Sequence, residues 1–305
     1  NNSGGGGGGG RIAVALTNAS TFGSVSFNAS GGARNGAVSA GGAGTIYLKG
    51  TNQTYGTLII SNSASLADVG SGAIRTLIST QVTGTAVGDV QLLGTAVLAV
   101  SNACTLPVYG NWSNATANAV GGSGAVEFKG PTNTLYGSTV FSGGFVCTNA
   151  GSKLQFQGNT TNSILTAVNI SGASGSPVSL FPATAGERWY IRVTNNVAPT
   201  LKYLIVTNST AVTDVWGQPL TAQNSDPTSL PGVNNQGNNN TNWLFPLAAA
   251  RVWNGSVDTS WENAANWTPN DSAPTPSDIG IIVTNVASGN RRITACSASG
   301  EFSLK

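Results

Sequence analysis

The sequence runs to 305 residues, of which only 8% are Asp, Glu, Lys or Arg, with 40% hydrophobic residues, a formal net charge of +2 and no histidine. Ordinary soluble domains carry about 25% charged residues and helices wear them on their outer faces, so the deficit speaks against a helix-rich fold. Near-neutrality with this apolar content speaks against disorder, and the scattered basic residues speak against a nucleic-acid surface.

The length allows one large domain or two smaller ones with a substantial core. Gly, Asn, Ser, Thr and Ala replace the missing charges, and these residues suit strands joined by tight turns. Met is absent, from which the chain is expected to be processed or to be a piece of something larger. No signal peptide is legible. The longest apolar runs fall far short of the ~18 to 20 residues that span a bilayer.

In chain order, residues 1–10 hold seven consecutive glycines and read as a flexible lead-in, because glycine loses the most backbone entropy on ordering. Ordered structure is expected from Arg11. Short apolar segments follow: Ile12-Ala13-Val14-Ala15-Leu16, Val25-Ser26-Phe27, Ile46-Tyr47-Leu48 and Leu58-Ile59-Ile60. Each is bounded by Asn, Gly, Ser or Ala clusters, the pattern of short strands between turns, and no window sustains a helical period.

A repeat is the strongest internal signal. Gly41-Gly42-Ala43-Gly44-Thr45-Ile46-Tyr47-Leu48-Lys49-Gly50 recurs as Gly121-Gly122-Ser123-Gly124-Ala125-Val126-Glu127-Phe128-Lys129-Gly130. Thr51-Asn52-Gln53-Thr54-Tyr55-Gly56 recurs as Thr132-Asn133-Thr134-Leu135-Tyr136-Gly137, an offset of about 80 residues that marks an internal duplication. Ile46 and Leu48, or Val126 and Phe128, fall on one face of a strand. So short a strand cannot bury that face alone, which predicts stacked coils sharing one core. With ~20 to 25 residues per coil, residues 41–245 would make about eight to ten coils spaced roughly 4.8 Å apart.

Strand signals continue at Leu154-Gln155-Phe156, Ile164-Leu165, Val168-Asn169-Ile170, Val178-Ser179-Leu180, Trp189-Tyr190-Ile191 and Leu204-Ile205-Val206. Residues 218–242 are rich in Asn, Pro, Ser and Gln and read as a loop before a closing strand, Trp243-Leu244-Phe245-Pro246. The expected organisation is a lead-in over 1–10, a β-solenoid over 11–247, and the start of a further β module or an assembly segment over 248–305. The fold class is all-β, a solenoid of the right-handed parallel β-helix kind, with a β-sandwich as the alternative.

Several segments resemble successive coils of large bacterial surface-exposed β-helical repeat proteins. They include Val126-Glu127-Phe128-Lys129-Gly130, Gly151-Ser152-Lys153-Leu154-Gln155-Phe156-Gln157-Gly158, Gly186-Glu187-Arg188-Trp189-Tyr190-Ile191 and the ending Asn238-Asn239-Asn240-Thr241-Asn242-Trp243-Leu244-Phe245. Arg251-Val252-Trp253-Asn254-Gly255 and Trp261-Glu262-Asn263-Ala264-Ala265-Asn266-Trp267 are similar to the opening of autotransporter-like, β-strand-repeat modules. The resemblance implies a structural role outside the cell or on its surface and carries over no catalytic residue.

Without histidine, Ser-His-Asp and Cys-His arrangements and His-bearing zinc sites are excluded, and the chain is expected not to be an enzyme; no catalytic, cofactor or metal residue is assigned. Asp258 with Glu262 and Asp271 with Asp278 are the close acidic pairs. They read first as turn and cap residues, with a catalytic pair or weak calcium binding as alternatives. Trp112, Trp189, Trp243, Trp253, Trp261 and Trp267 read first as packing residues and second as sugar-stacking platforms of an adhesin. Cys104, Cys147 and Cys296 read as buried small hydrophobes, with a Cys104–Cys147 disulfide or an intermolecular bond through Cys296 as alternatives. Asn18, Asn52, Asn111, Asn159, Asn208 and Asn266 lie in sequons for surface glycosylation. The expected function is head-to-tail self-assembly into a filament or surface layer, with identical subunits as partners; the alternative is an adhesin for surface glycans.

Overall fold

The computed structural model describes residues 5–33, 40–62, 75–81, 84–115, 119–173, 175–194, 199–212, 220–222, 239–244, 250–253, 257–258, 260–268 and 279–282. The chain enters through β1 (Arg11–Ala15), β2 (Thr45–Lys49) and β3 (Thr57–Asn62). Strand β1 runs parallel to β2, and β2 runs antiparallel to β3. A first partial coil closes with β4 (Thr76–Ile78).

Five complete coils follow, each visiting three sheets in the same rotation. They are β5 (Val90–Gly94), β6 (Leu98–Val100) and β7 (Thr105–Val108); β8 (Trp112–Asn114), β9 (Ala119–Gly121) and β10 (Ala125–Phe128); and β11 (Thr132–Tyr136), β12 (Thr139–Phe141) and β13 (Gly144–Cys147). Then come β14 (Lys153–Phe156), β15 (Thr161–Ile164) and β16 (Val168–Ser171), followed by β17 (Val178–Pro182), β18 (Trp189–Val193) and β19 (Thr200–Lys202). A last partial coil holds β20 (Leu204–Val206) and β21 (Ser209–Val212). The resulting sheets have nine, seven and five strands, and from β3 onward their pairings are parallel. The chain is a β-solenoid, and the sandwich alternative falls.

Register explains the coil length. Val90 pairs with Trp112, Trp112 with Leu135 and Leu135 with Phe156, steps of 21 to 23 residues. Later coils lengthen: Leu154 pairs with Leu180 and Leu180 with Val206, steps of 26. Leu58 pairs with Val90, so the first step takes 32. Among the described residues there are therefore fewer coils than the eight to ten expected, because the first step and the last ones are long and β1 and β2 form an end piece instead of coils.

Alternation along each strand sends every second side chain inward, and parallel register stacks like on like. In the seven-stranded sheet Leu98, Val120, Phe141, Ile164 and Val193 form one continuous inward column. Trp112, Phe128, Phe141 and Phe145 fill the middle of the core in edge-on and tilted contacts with centroids 4.9 to 6.4 Å apart. Phe156 stacks flat on Trp189 at 4.0 Å. Each such burial stabilises by about 1.5 to 3 kcal/mol, and the column makes it cooperative from coil to coil.

Corners explain the Asn and Gly content. Leaving the nine-stranded sheet, the chain passes through a left-handed residue: Gly94, Gly137, Asn159, Gly186 or Asn208, all with φ between 51° and 84°. Glycine and asparagine tolerate that region best. Entering the same sheet, Gly88, Gly110 and Gly130 stand in a column where a Cβ would fall under 3.0 Å from the backbone of the preceding coil.

The duplicated segments do not occupy equivalent places. Strand β2 pairs antiparallel in the nine-stranded sheet, whereas β10 pairs parallel in the five-stranded sheet. The segment around Val25 and Phe27, expected as a strand, is not one; Val25 is exposed, and Phe27 meets Phe22 edge-on at 5.7 Å.

Glycines 5–10, expected to be a flexible lead-in, are packed into the fold. Three extended segments, 5–10, 29–32 and 40–45, each bond to both of the others. Gly9 N–H donates to Gly42 O (2.8 Å), Gly32 N–H to Gly7 O (2.7 Å), Gly41 N–H to Gly32 O (2.9 Å) and Gly44 N–H to Ala29 O (2.7 Å). The period is three: a Cβ on Gly6 or Gly9 would collide with neighbouring backbone, while one on Gly7, Gly8 or Gly10 would meet nothing within 4 Å. Polyproline II has this period, and in collagen too only glycine fits the crowded inward position. The ordering entropy that composition counts against glycine is offset here by inter-segment hydrogen bonds.

Beyond the last coil, β22 (Leu220–Thr221) pairs with β23 (Trp243–Leu244). A separate small sheet is built from β24 (Ala250–Trp253), β25 (Trp267–Thr268) and β26 (Ile279–Ile282), with β24 in the centre.

Candidate functional site

The six tryptophans named above do not form a sugar platform, and Trp216 lies outside the described residues. Trp112, Trp189, Trp243, Trp253, Trp261 and Trp267 are all buried. Trp112 Nε1 donates to Thr139 Oγ1 (3.1 Å), Trp189 Nε1 to Thr207 O (2.9 Å) and Trp243 Nε1 to Ser209 Oγ (3.1 Å), so each is tied to the coil it packs on. Trp253 and Trp261 each meet Trp267 edge-on, at 5.1 and 4.5 Å, as a second core apart from the solenoid's.

That small core has a polar clamp. Asn266 is buried, accepts from Val257 N–H and Asp258 N–H, and donates through Nδ2 to Asp258 Oδ1 and Ser260 O. Asp258 also accepts from Asn263 Nδ2 (2.7 Å) and Ser260 N–H (2.8 Å). The Asn263 amide, with the Ser260 and Asn266 bonds, holds the Asp258 carboxyl below the usual carboxylate range. Its acceptors are committed to the turn, and Glu262 is exposed. Asp271 and Asp278 lie outside the described residues.

Of the sequon residues, Asn18 and Asn52 are exposed. Asn111 Oδ1 accepts from Thr134 N–H (3.1 Å), and Asn159 and Asn208 are left-handed corner residues. Asn266 is inside the tryptophan module, where its clamp leaves no room for a glycan.

Cys104 and Cys147 are free thiols. Cys104 precedes β7 and Cys147 ends β13, two coil steps or about 10 Å along the axis and, by register, four residues along the strand as well, beyond the ~7 Å Cα reach of a disulfide. Cys147 is buried with its Sγ 3.3 Å from Ser152 Oγ, and burial pushes its thiol pKa up. Cys104 is half-buried with its Sγ 3.2 Å from Ser101 Oγ. Cys296 lies outside the described residues.

One exposed feature escaped the sequence reading. Tyr55 and Tyr109 stack at the glycine corner, with centroids 4.3 Å apart and planes 20° from parallel. Each precedes a column glycine, as Lys129 does on the next coil, and Lys129 pairs with Glu127 at 3.5 Å. The Tyr55 phenol is pushed up by the neighbouring Tyr109 hydroxyl. The signal was the recurring aromatic-glycine dipeptide, legible only once the coil length is known.

The ends of the stack are the remaining surfaces. Strand β1 is the outermost strand of the nine-stranded sheet. Leu16 N–H donates to Lys49 O and Thr45 N–H to Gly10 O, so alternation turns the backbone groups of Arg11, Ala13 and Ala15 outward. At the far end β19, β20 and β21 finish the three sheets. There Asn240 Nδ2 donates to Val206 O (2.7 Å), and Thr241 bridges Thr210. Arg188 ties the strap down, its Nη1 donating to Thr210 and Thr241 and its Nη2 to Asn239 O.

Among the described residues no cluster of His, Cys, Asp and Glu is placed to hold a metal ion, and no helix is long and apolar enough to cross a membrane. No family model, curated protein or solved structure matches this chain.

Proposed function

We propose that this chain is a non-catalytic structural protein of the cell surface or extracellular space, and that copies of it assemble end to end. The observation that supports this reading is the unlike pair of ends: β1 turns a row of backbone donors and acceptors outward, and at the far end three sheets terminate at β19, β20 and β21 with the 239–242 strap laid on the last two. An open edge is a template for another strand unless it is blocked by charge, proline or a bulge. Strand β1 carries one charge, Arg11, and no proline. Unlike surfaces that join by translation do not close, so the product is a filament. The 250–305 segment, with its small sheet of β24, β25 and β26, supplies the joining strand in this reading.

Negative-stain microscopy and sedimentation of the full chain test it. Filaments are expected, and deleting residues 252–305 is expected to abolish them while leaving β-structure intact. Ala13→Pro removes one outward N–H without touching the β1–β2 ladder and is expected to slow growth severely. A chain that stays monomeric at all concentrations, or filaments undiminished in both variants, would overturn the proposal.

Glycan binding is the second reading. With the six described tryptophans buried, it rests on the half-exposed Tyr55–Tyr109 stack. A glycan-array signal from the monomer, lost in Tyr109→Ala, would favour it.

A further inference from the structure

Between the glycine bundle and the first coil lies a cavity of about 500 Å³. Gly9 and Gly44 put backbone on its lining. The five-stranded sheet also stops short here: β7 is its last strand, extended only by the single bridge from Val87 to Val108. The opposite wall is apolar, formed by Leu58, Ile78, Val87 and Leu106, all buried core residues of the solenoid.

Two arginines are also on the lining, Arg11 from β1 and Arg75 just before β4, beside the hydroxyl-bearing Thr45, Tyr47, Thr76 and Thr85. Among the described residues neither has an acidic partner within 4.0 Å. Arg75 is seated: its guanidinium lies against the Gly121 backbone, where a Cβ would come within 3.1 Å of Cζ. A planar fork held open beside an apolar hollow is suited to a carboxylate with a hydrocarbon tail. Ligand sites of about 300 to 1,000 Å³ with mostly apolar walls and few polar groups have this make-up.

We propose that the cavity binds a small amphipathic carboxylate. The tail lies against Leu58, Ile78, Val87 and Leu106, and the carboxylate is held by Arg11 and Arg75. Arg11 belongs to β1, so binding is read both on the full chain and on the Ala13→Pro chain, whose outward edge is blocked; loss of binding in both counts against this site and leaves the assembly proposal standing.

The test is calorimetric titration of the full chain with sodium decanoate, with decanol as the uncharged control. Saturable binding at one site is expected, with decanol about tenfold or more weaker and Arg75→Gln costing about tenfold. Added NaCl is expected to weaken decanoate but not decanol, because both arginines are exposed to screening. Exposure also means that R11Q and R75Q should fold, checked by an unchanged circular dichroism spectrum. The proposal is overturned by no saturation below the micelle concentration. It is equally overturned by decanoate binding no tighter than decanol, or by full affinity in the R11Q/R75Q double variant.

Discussion

Replacing Gly9 with Ala should loosen the glycine bundle, while the same change at Gly8 should not. At Gly9 the new methyl would fall well under 3.0 Å from Ala29 O and Gly44 N, both backbone atoms that cannot rotate away, whereas at Gly8 it would meet nothing within 4 Å. The three segments must then part, breaking the Gly44-to-Ala29 and Gly9-to-Gly42 bonds. Forced overpacking of this kind costs about 1 to 3 kcal/mol. At Gly8 the reduced freedom of the unfolded chain should add about 0.4 to 1 kcal/mol of stability instead. Amide hydrogen exchange on peptides covering residues 40–48 reads the difference directly. At about 1.4 kcal/mol per tenfold, Gly44 and Thr45 should lose roughly 5- to 150-fold in protection in Gly9→Ala and lose none in Gly8→Ala. Equal behaviour of the two variants, or a neutral Gly9→Ala, would refute the three-residue packing.

The tryptophan module should be acid-sensitive. Asp258 has its folded pKa depressed by Asn263, Ser260 and Asn266, so its contribution is present above the ordinary carboxylate range and lost as pH falls through the folded value. Near-ultraviolet dichroism of the Trp253–Trp261–Trp267 cluster should therefore weaken below about pH 4, and Asp258→Asn should remove that step; an identical acid profile in the variant would count against the clamp. For the cysteines, peptide-mapped alkylation of the native chain should label Cys104 well before Cys147, whose thiol is buried and raised in pKa. Cys147 should react only after denaturant is added, and equal labelling of the two would contradict the inward face of β13.

Much of the solenoid was legible because its signal is local. The segments around Leu154, Val168, Val178, Trp189 and Leu204 each alternate over a few residues, and each is a strand in the structure. The coil length came out close for the same reason, since the distance between turn clusters is the perimeter of the coil. Illegible were features that depend on what lies one coil away. The Tyr55–Tyr109 stack joins residues on different coils, and no window of sequence contains both. The duplication misled for a related reason: similar residues at 41–50 and 121–130 entered different sheets, because β2 folds back on β3 while β10 is held between β7 and β13. The tryptophans were ambiguous because composition does not say which face of a strand is inward.

By itself the sequence determined an all-β chain of short strands with Gly and Asn corners, too poor in charge for helical surfaces and without the histidine that several catalytic arrangements require. Strand alternation and turn chemistry are properties of neighbouring residues, so they can be read without a fold. Tertiary structure alone decided the fate of residues 5–10. Glycine is the most expensive residue to order when counted singly, and it is the only residue that lets three backbones approach closely enough to bond. Whether 5–10 is a loose end or a packed segment therefore depends on 29–32 and 40–45 meeting it. The cavity beneath it, with Arg11 and Arg75 on its lining, likewise joins residues from separate parts of the chain.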